Sequence, residues 1–165
     1  MSRAFVKELD EQDDRSGPIR PQSPHTNYVT PGGLKLLQDK VRELAASLDG
    51  LRGREDIASQ QSSRELEREI AYYNERVKRA VLVEPEQQAL DRVHFGATVE
   101  AEDNDGERLR FVIVGEDEAD VAEGRISWVS PLASALMNAR VGDIVTWRRP
   151  AGDKELEVLE IYRAE

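Results

Sequence analysis

A leucine-rich stripe in the first half of the chain recurs at alternating steps of three and four residues, which is the spacing of a coiled-coil seam. Thr30, just before the stripe, is a suitable helix N-cap. Pro31 suits the first helical position, because the N–H that proline lacks is not needed there. The pattern therefore predicts a helix that begins at Pro31. The stripe consists of Leu34, Leu37, Val41, Leu44, Leu48 and Leu51.

A second stripe with the same spacing follows after an interruption at Gly50 and Gly53, and it ends before Pro85. Its members are Leu66, Ile70, Tyr73, Val77 and Ala80. Two helices joined by a short glycine-containing turn predict an antiparallel coiled-coil hairpin. Leu48 and Leu51 would meet mainly serine side chains of the second helix, so the base of the hairpin is predicted to pack better than its tip.

The last half of the chain alternates apolar and polar residues with a period of two, which indicates β-strands. Ser130 and Pro131 suit the N-cap and first position of a short helix. Strands are predicted at 98–102, 109–114, 125–129, 141–147 and 155–162. The pattern therefore predicts an antiparallel β-sheet with a short helix, and an α+β fold class for the whole chain.

The predicted organisation has three parts. Residues 1–27 include Pro18 and Pro21 and few apolar positions, so they cannot offset the entropy of ordering and are predicted to be a flexible tail. Residues 28–83 form the predicted hairpin, and residues 84–165 form the predicted sheet domain.

The formal net charge of -10 is unevenly distributed along the chain. Residues 1–33 carry 4 positive and 5 negative side chains, residues 34–83 carry 10 and 9, and residues 84–165 carry 9 and 19. The acidity therefore belongs to the predicted sheet domain. Such a surface repels phosphate backbones, so it argues against non-specific nucleic-acid binding and favours a protein partner.

The chain has no Cys, and its two His are far apart in sequence, which excludes thiolate sites and argues against a histidine metal site. No apolar run approaches the roughly 18 residues of a membrane span. The first residues also lack the apolar core of a secretory signal. A cytoplasmic protein with no membrane attachment and no cofactor of its own is expected.

The stretch from Ser127 to Asp143 resembles the C-terminal signature of the GreA/GreB transcript cleavage factors of bacterial RNA polymerase. It has a Ser-x-x-Ser-Pro start, a small residue, an apolar pair and a later acidic position. Residues 93–99 and 113–120 are also similar to family segments, and the resemblance covers about residues 28–163. It implies an N-terminal antiparallel coiled coil followed by a C-terminal domain of FKBP-like fold.

The resemblance further implies that the C-terminal domain binds the rim of the secondary channel of RNA polymerase, with the coiled coil inserted into the channel. The protein would then be a monomeric accessory of RNA polymerase rather than an enzyme, with no sequence-specific nucleic-acid binding. The partner-binding residues that the resemblance implies are Ser127, Ser130, Pro131, Leu132, Ala133, Leu136, Gly142 and Asp143.

In this family an Asp and a Glu at the coiled-coil tip help to hold a magnesium ion in the polymerase active site. The tip of this chain offers the carboxylates of Asp49, Glu55 and Asp56, but it lacks the family's G-D-x-x-E-N-A motif and places Arg52 and Arg54 beside them. An acidic first helical turn is the simplest role of Glu55 and Asp56. The missing motif argues against stimulation of RNA cleavage and favours a regulator that occupies the channel.

Three alternatives remain open. Rnk proteins, which regulate nucleoside diphosphate kinase, share the C-terminal domain and carry a shorter coiled coil, so the chain would regulate that kinase or compete with Gre factors for the channel. The FKBP-like fold alone suggests a prolyl isomerase, although fold analogy is a weak argument for an activity. A tight dimer through Leu48 and Leu51 would instead indicate a dimerising interaction module.

Overall fold

The computed structural model describes residues 20–163. Short 3-10 helices lie at Pro85–Gln87 and Val121–Glu123. In chain order the other elements are β1 (Asn27–Val29), α1 (Pro31–Asp49), α2 (Ile57–Lys78), β2 (Ala80–Leu82), β3 (Ala97–Asp103), β4 (Arg108–Val114), β5 (Arg125–Ser127), α3 (Pro131–Leu136), β6 (Ile144–Trp147) and β7 (Lys154–Arg163).

The helices α1 and α2 pack on each other and form the arm of the molecule, residues 31–78. Thr30 caps α1 by accepting a hydrogen bond from the Gly33 N–H at 3.0 Å, so the predicted start at Pro31 is confirmed. β1 precedes α1, β2 follows α2, and the two strands pair in parallel. The start of α1 therefore lies beside the end of α2. The supercoiling of a coiled coil stays a prediction.

The arm has a thin apolar core. Leu37 and Leu44 are its buried leucines, and the other apolar seam positions of both helices are half-buried or exposed. Near the tip Ser59 is buried in the interface, whereas Ile57 is 84% exposed. Because hydrophobic burial is the main source of helix packing energy, the tip gains less stability than the base.

The sheet of the second part has the strand order β5-β4-β3-β7-β6. Its neighbours are antiparallel except β4 and β5, which pair in parallel. The predicted antiparallel sheet is therefore wrong at β5, and the sheet is mixed. Residues 115–124 cross over after β4 and return the chain in the same direction, and alternation of apolar residues carries no information about direction.

The core of the sheet domain lies between one face of the sheet and α3. Val99, Ile113, Leu156 and Val158 from three strands and Leu136 from α3 are fully buried there. Each such side chain contributes about 1.5–3 kcal/mol by burial. The domain is thus the better packed part of the protein, on which the arm is supported. No helix among residues 20–163 is long and apolar enough to cross a membrane.

The predicted flexible tail reached residue 27. Residues 1–19 lie outside the described part of the chain. Residues 20–27, which we call the N-terminal strap, contact both α2 and the sheet domain, so the prediction does not hold for them. Side-chain hydrogen bonds to distant residues hold the strap, and these contacts leave no local pattern in the sequence.

Asp103 at the end of β3 holds the turn between β3 and β4 and also contacts Lys154, which follows the turn between β6 and β7. Its Oδ1 accepts hydrogen bonds from the N–H groups of Asp105 at 3.0 Å and Glu107 at 2.9 Å. Its Oδ2 lies 2.6 Å from Lys154 Nζ at the start of β7. Lys154, and then the backbone of Glu107, hold the pKa of Asp103 below its ordinary value.

We expect Lys154→Met to lower the stability at neutral pH, with an effect that vanishes at low pH. The folded-state pKa of Asp103 is depressed, so its contribution is present above the unfolded pKa of about 3.9 and is lost as the pH falls through the folded value. Urea unfolding at neutral pH and near pH 2 measures this. Lys35→Met is the control, because Lys35 and Asp39 are also 2.6 Å apart but largely exposed, and exposed ion pairs contribute little. Equal losses for Lys154→Met at both pH values would contradict the prediction.

Candidate functional site

The arm tip carries the three predicted carboxylates, and two of them have partners within the chain. Asp49 Oδ1 lies 3.1 Å from Arg52 Nη2. Asp56 is the N-cap of α2, and its Oδ2 accepts a hydrogen bond from the Ser59 N–H at 2.9 Å. Hydrogen bonds from the Ser59 side chain and backbone hold the pKa of Asp56 below its ordinary value.

Glu55 is the remaining tip carboxylate and is exposed beside Arg54. Magnesium prefers carboxylate oxygens in a near-octahedral arrangement, and a single free carboxylate next to an arginine is a poor donor set. Among residues 20–163, no group of three or more Asp, Glu or His side chains is placed to hold a metal ion. Within this range, the tip therefore offers a cation one uncommitted carboxylate, Glu55, next to Arg54.

The Ser-Pro segment holds its predicted partner-binding residues in two different environments. The side chains of Leu132, Ala133 and Leu136 are buried in the domain core. Ser130 Oγ accepts a hydrogen bond from the Ala133 N–H at 3.2 Å and caps α3, whereas Pro131 is exposed. The three buried residues therefore support the surface from within and do not form it.

The loop between α3 and β6 supplies the exposed part of this surface. Gly142 is in the left-handed region at φ 91°, and Asp143 Oδ2 accepts a hydrogen bond from the Arg140 N–H at 2.8 Å. Val141 is 58% exposed and Ile144 is 67% exposed. Neither residue stands out in the sequence, because single apolar residues at the start of a predicted strand are ordinary. Ser127 is half-buried, and its Oγ accepts a hydrogen bond from Val129 N–H.

A cluster of buried polar contacts joins the base of the arm to the sheet domain, and its centre is Arg76 of α2. Arg76 is 2% exposed. Its Nη2 and Nε lie 2.6 and 2.7 Å from Asp117 Oδ2, and Glu116 Oε2 lies 3.7 Å from Nη2. Asn27 of the strap accepts a hydrogen bond from Arg76 Nη2 at 2.7 Å and donates one to the Arg76 carbonyl oxygen at 2.7 Å.

Glu118 makes the corresponding contact with α1. Its Oε2 accepts a hydrogen bond from Thr30 Oγ1 at 2.6 Å, at the N-terminus of the helix, where a negative charge is favourable. Gly33 permits this approach, because a Cβ there would lie 2.7 Å from Glu118 Oε2. We call Glu116–Glu118 the carboxylate loop, since it brings three acidic side chains to the base of the arm.

The strap also contacts this region, and we call the base of the arm, the carboxylate loop and the strap together the junction. Arg20 stacks over the ring of Tyr72 at 4.0 Å from its centroid, and Gln22 Nε2 donates to the Tyr72 carbonyl oxygen at 3.1 Å. On the other side Ser23 Oγ donates to Glu116 Oε1 at 3.0 Å. The strap therefore contacts the arm and the carboxylate loop together.

An aromatic contact lies beside the junction. Tyr28 of β1 meets the Trp128 ring edge-on at 5.0 Å between centroids. The other tryptophan is Trp147, so in a Trp147→Phe background the emission of Trp128 can report how the arm sits on the domain. In the sequence, residues 113–120 are marked only by their likeness to a family segment. The acidic run after Gly115 was the one local signal that pointed to the junction.

Comparison with known proteins assigns the class. Residues 87–163 match the family described as transcription elongation factor, GreA/GreB, C-terminal part. Transcription elongation factor GreB of Neisseria meningitidis serogroup B is 36% identical over 151 residues, which cover 82% of this chain and 93% of the relative. Transcription elongation factor GreA of Anaeromyxobacter sp. strain K is 34% identical over 149 residues, covering 81% and 90%.

These relatives are transcription elongation factors. The chain belongs to the GreA/GreB family. Among solved structures, GreA factor homolog 1 of Thermus thermophilus is 26% identical, with 84% of this chain and 99% of that chain covered and a TM-score of 0.39. At this TM-score the structural match adds no argument, so the assignment is based on the sequence relatives. The Rnk alternative has no support among them.

Proposed function

We propose that this protein is a Gre-family regulator of transcription elongation that binds RNA polymerase at its secondary channel and inserts the arm. The family assignment supports the partner. The 19 residues of α1 give the arm a length of about 28 Å. An arm of this length is long enough to extend into a channel. The finer fold assignments, a coiled coil and an FKBP-like domain, belong to the same proposal, as do a monomeric state and a cytoplasmic location.

The carboxylates and arginines at the tip support a second part of the proposal, that the arm occupies the channel without stimulating RNA cleavage. Asp49 and Asp56 already have partners at 3.1 and 2.9 Å, and Glu55 alone is a poor metal ligand. Arg52 and Arg54 also oppose the approach of a cation. An arm with this tip therefore excludes other molecules from the channel and adds little to the chemistry there.

The experiment uses reconstituted polymerase stalled with a backtracked RNA. We expect the protein to bind core polymerase, to leave RNA cleavage close to background, and to slow cleavage by an added GreB that requires the same channel. Absence of binding to core polymerase would contradict the whole proposal. Cleavage as fast as with GreB, abolished by Glu55→Ala, would contradict the proposed role of the tip.

We expect Ile144→Asp to weaken binding to core polymerase by about tenfold, which corresponds to about 1.4 kcal/mol. Ile144 is 67% exposed, and together with Val141 it gives the loop a small apolar surface of the kind that protein partners cover. Titration of labelled protein with core polymerase measures the effect. Val121→Asp is the matched control, since Val121 is 84% exposed on the same domain but away from this loop. Equal affinities for both variants would contradict this placement of the contact.

A further inference from the structure

We propose that the carboxylate loop is a clasp that sets the direction of the arm relative to the sheet domain, so that polymerase binding by the domain and action by the arm are coupled through Asp117 and Glu118. The inference rests on the proposed function for its consequence in transcription. The clasp itself follows from contacts within this chain.

The first contact holds α2. A buried guanidinium without a partner costs several kcal/mol, and Arg76 is 2% exposed. Asp117 approaches two of its nitrogen atoms at 2.6 and 2.7 Å. An arm that turned away from the domain would leave this charge buried without its carboxylate, or would have to expose the packed base. Turning the arm away from the domain therefore breaks this ion pair and exposes the base of the arm together.

The second contact holds α1. Glu118, the next residue along the loop, accepts the Thr30 hydroxyl hydrogen bond at 2.6 Å at the start of that helix. One attachment would leave the arm free to pivot about it. Two attachments from consecutive residues to two different helices leave the arm only rotation about the line that joins them, and the strap contact described next restricts that rotation.

Close packing leaves this junction little freedom to move. A Cβ at Gly115 would overlap the backbone carbonyl oxygen of Tyr28, whereas a Cβ at Gly33 would meet the flexible end of the Glu118 side chain at 2.7 Å. The strap adds a third attachment, through Ser23 to Glu116 at 3.0 Å. The glycines therefore let backbone and carboxylate approach the arm base more closely than any other residue would.

The length of the arm turns a small rotation at the base into a large displacement at the tip. For an arm of about 28 Å, a rotation of about 10° at the junction moves the tip by about 5 Å, whereas misplacements near 1 Å already affect positioned groups. Loosening the clasp is therefore expected to weaken the insertion of the arm into the channel while the domain still binds.

The first test measures the direction of the arm. The chain has no Cys, so spin labels can be placed at Ala46→Cys on the arm and at Ala151→Cys in the β6–β7 turn, both exposed. We expect a narrow distance distribution for the parent protein and a broad one for the double variant Asp117→Asn, Glu118→Gln. A narrow, unshifted distribution in the double variant would overturn the proposal.

The matched control is Glu123→Gln, an exposed carboxylate that follows the loop, which should leave the distribution narrow. Circular dichroism and thermal unfolding establish that the double variant is folded. If it is unfolded, the single variants Asp117→Asn and Glu118→Gln serve instead, since each removes one charge of the clasp. Narrow, unshifted distributions in both folded single variants would then overturn the clasp.

The second test separates the clasp from the proposed function. We expect the double variant to bind core polymerase within about twofold of the parent, while cross-linking from a cysteine at the arm tip, Ala58→Cys, to the channel wall falls by about tenfold. A parent protein that does not bind polymerase contradicts the proposed function and leaves the distance result standing. A parent that binds and a variant that cross-links equally well contradict the coupling.

Discussion

Replacement of Arg76 by Met should lower the free energy of unfolding by about 3 kcal/mol, the lower end of the range for breaking a buried ion pair. The methionine fills much of the same volume but leaves Asp117 without its partner, and Glu116 and Asn27 each lose one of their contacts. The side chains of Asp117 and Glu116 are 19% and 24% exposed, so water reaches them in part, which sets the estimate at the lower end. The junction then loses its central contact while the core of the sheet domain stays intact.

Urea unfolding at neutral pH, followed by tryptophan emission and by circular dichroism, measures this loss. Arg64→Met is the control, because Arg64 lies exposed on the same helix and should change stability by less than about 0.5 kcal/mol. The double variant Arg76→Met, Asp117→Asn should recover part of the loss, since it no longer has an unpaired charge. A loss for Arg76→Met no larger than that of the control would contradict the importance of the buried pair.

Gly115→Ala should lower the free energy of unfolding by about 1–3 kcal/mol, the usual cost of adding a methyl group to a filled space. A Cβ at this position would overlap the carbonyl oxygen of Tyr28. That oxygen belongs to β1, which pairs with β2 along Asn27–Val29, so the backbone has little freedom to retreat. The added methyl group should therefore push β1, at the base of the arm, away from the sheet domain.

The structural change in Gly115→Ala should be confined to the surroundings of Trp128. Trp128 contacts Tyr28, so its emission should shift to longer wavelength in the folded variant, with far-ultraviolet circular dichroism unchanged. Gly50→Ala is the control, because Gly50 has a right-handed helical backbone at the end of α1 and its nearest neighbours lie at ordinary contact distance. Unchanged stability and unchanged emission for Gly115→Ala would show that the space beside Gly115 is not filled as described.

Local capping signals predicted the starts of α1 and α3 correctly, whereas Glu55 and Asp56, expected to form an acidic first turn, precede α2, with Asp56 as its N-cap. Thr30 with Pro31 and Ser130 with Pro131 act within one turn of the chain, so their neighbours in sequence suffice to define them. Strands at 98–102 and 109–114 were also close to β3 and β4, because each has one face in the core. The direction of β5 was predicted wrongly, since a strand has the same alternation in a parallel and in an antiparallel pair.

The candidate site, too, was predicted only in part from the sequence. The sequence indicated a tip without the family motif, and the structure shows two of its carboxylates with local partners, Arg52 and Ser59. The sequence motif also indicated Leu132, Ala133 and Leu136 as residues that contact the partner, although these side chains are buried in the structure. A motif marks residues that matter to a family without saying whether they face the partner or the core.

The sequence by itself determined that this protein has a helical arm, an acidic sheet domain and a place in the GreA/GreB family, because spacing, caps and composition are properties of neighbouring residues. Only the tertiary structure decided how the arm is held. Arg76 and Asp117 are 41 residues apart, and Thr30 and Glu118 are 88 apart. Each of them taken alone is an ordinary polar residue on a helix or loop. Folding brings them together, and burial turns an ordinary charge pair into the contact that fixes the direction of the arm.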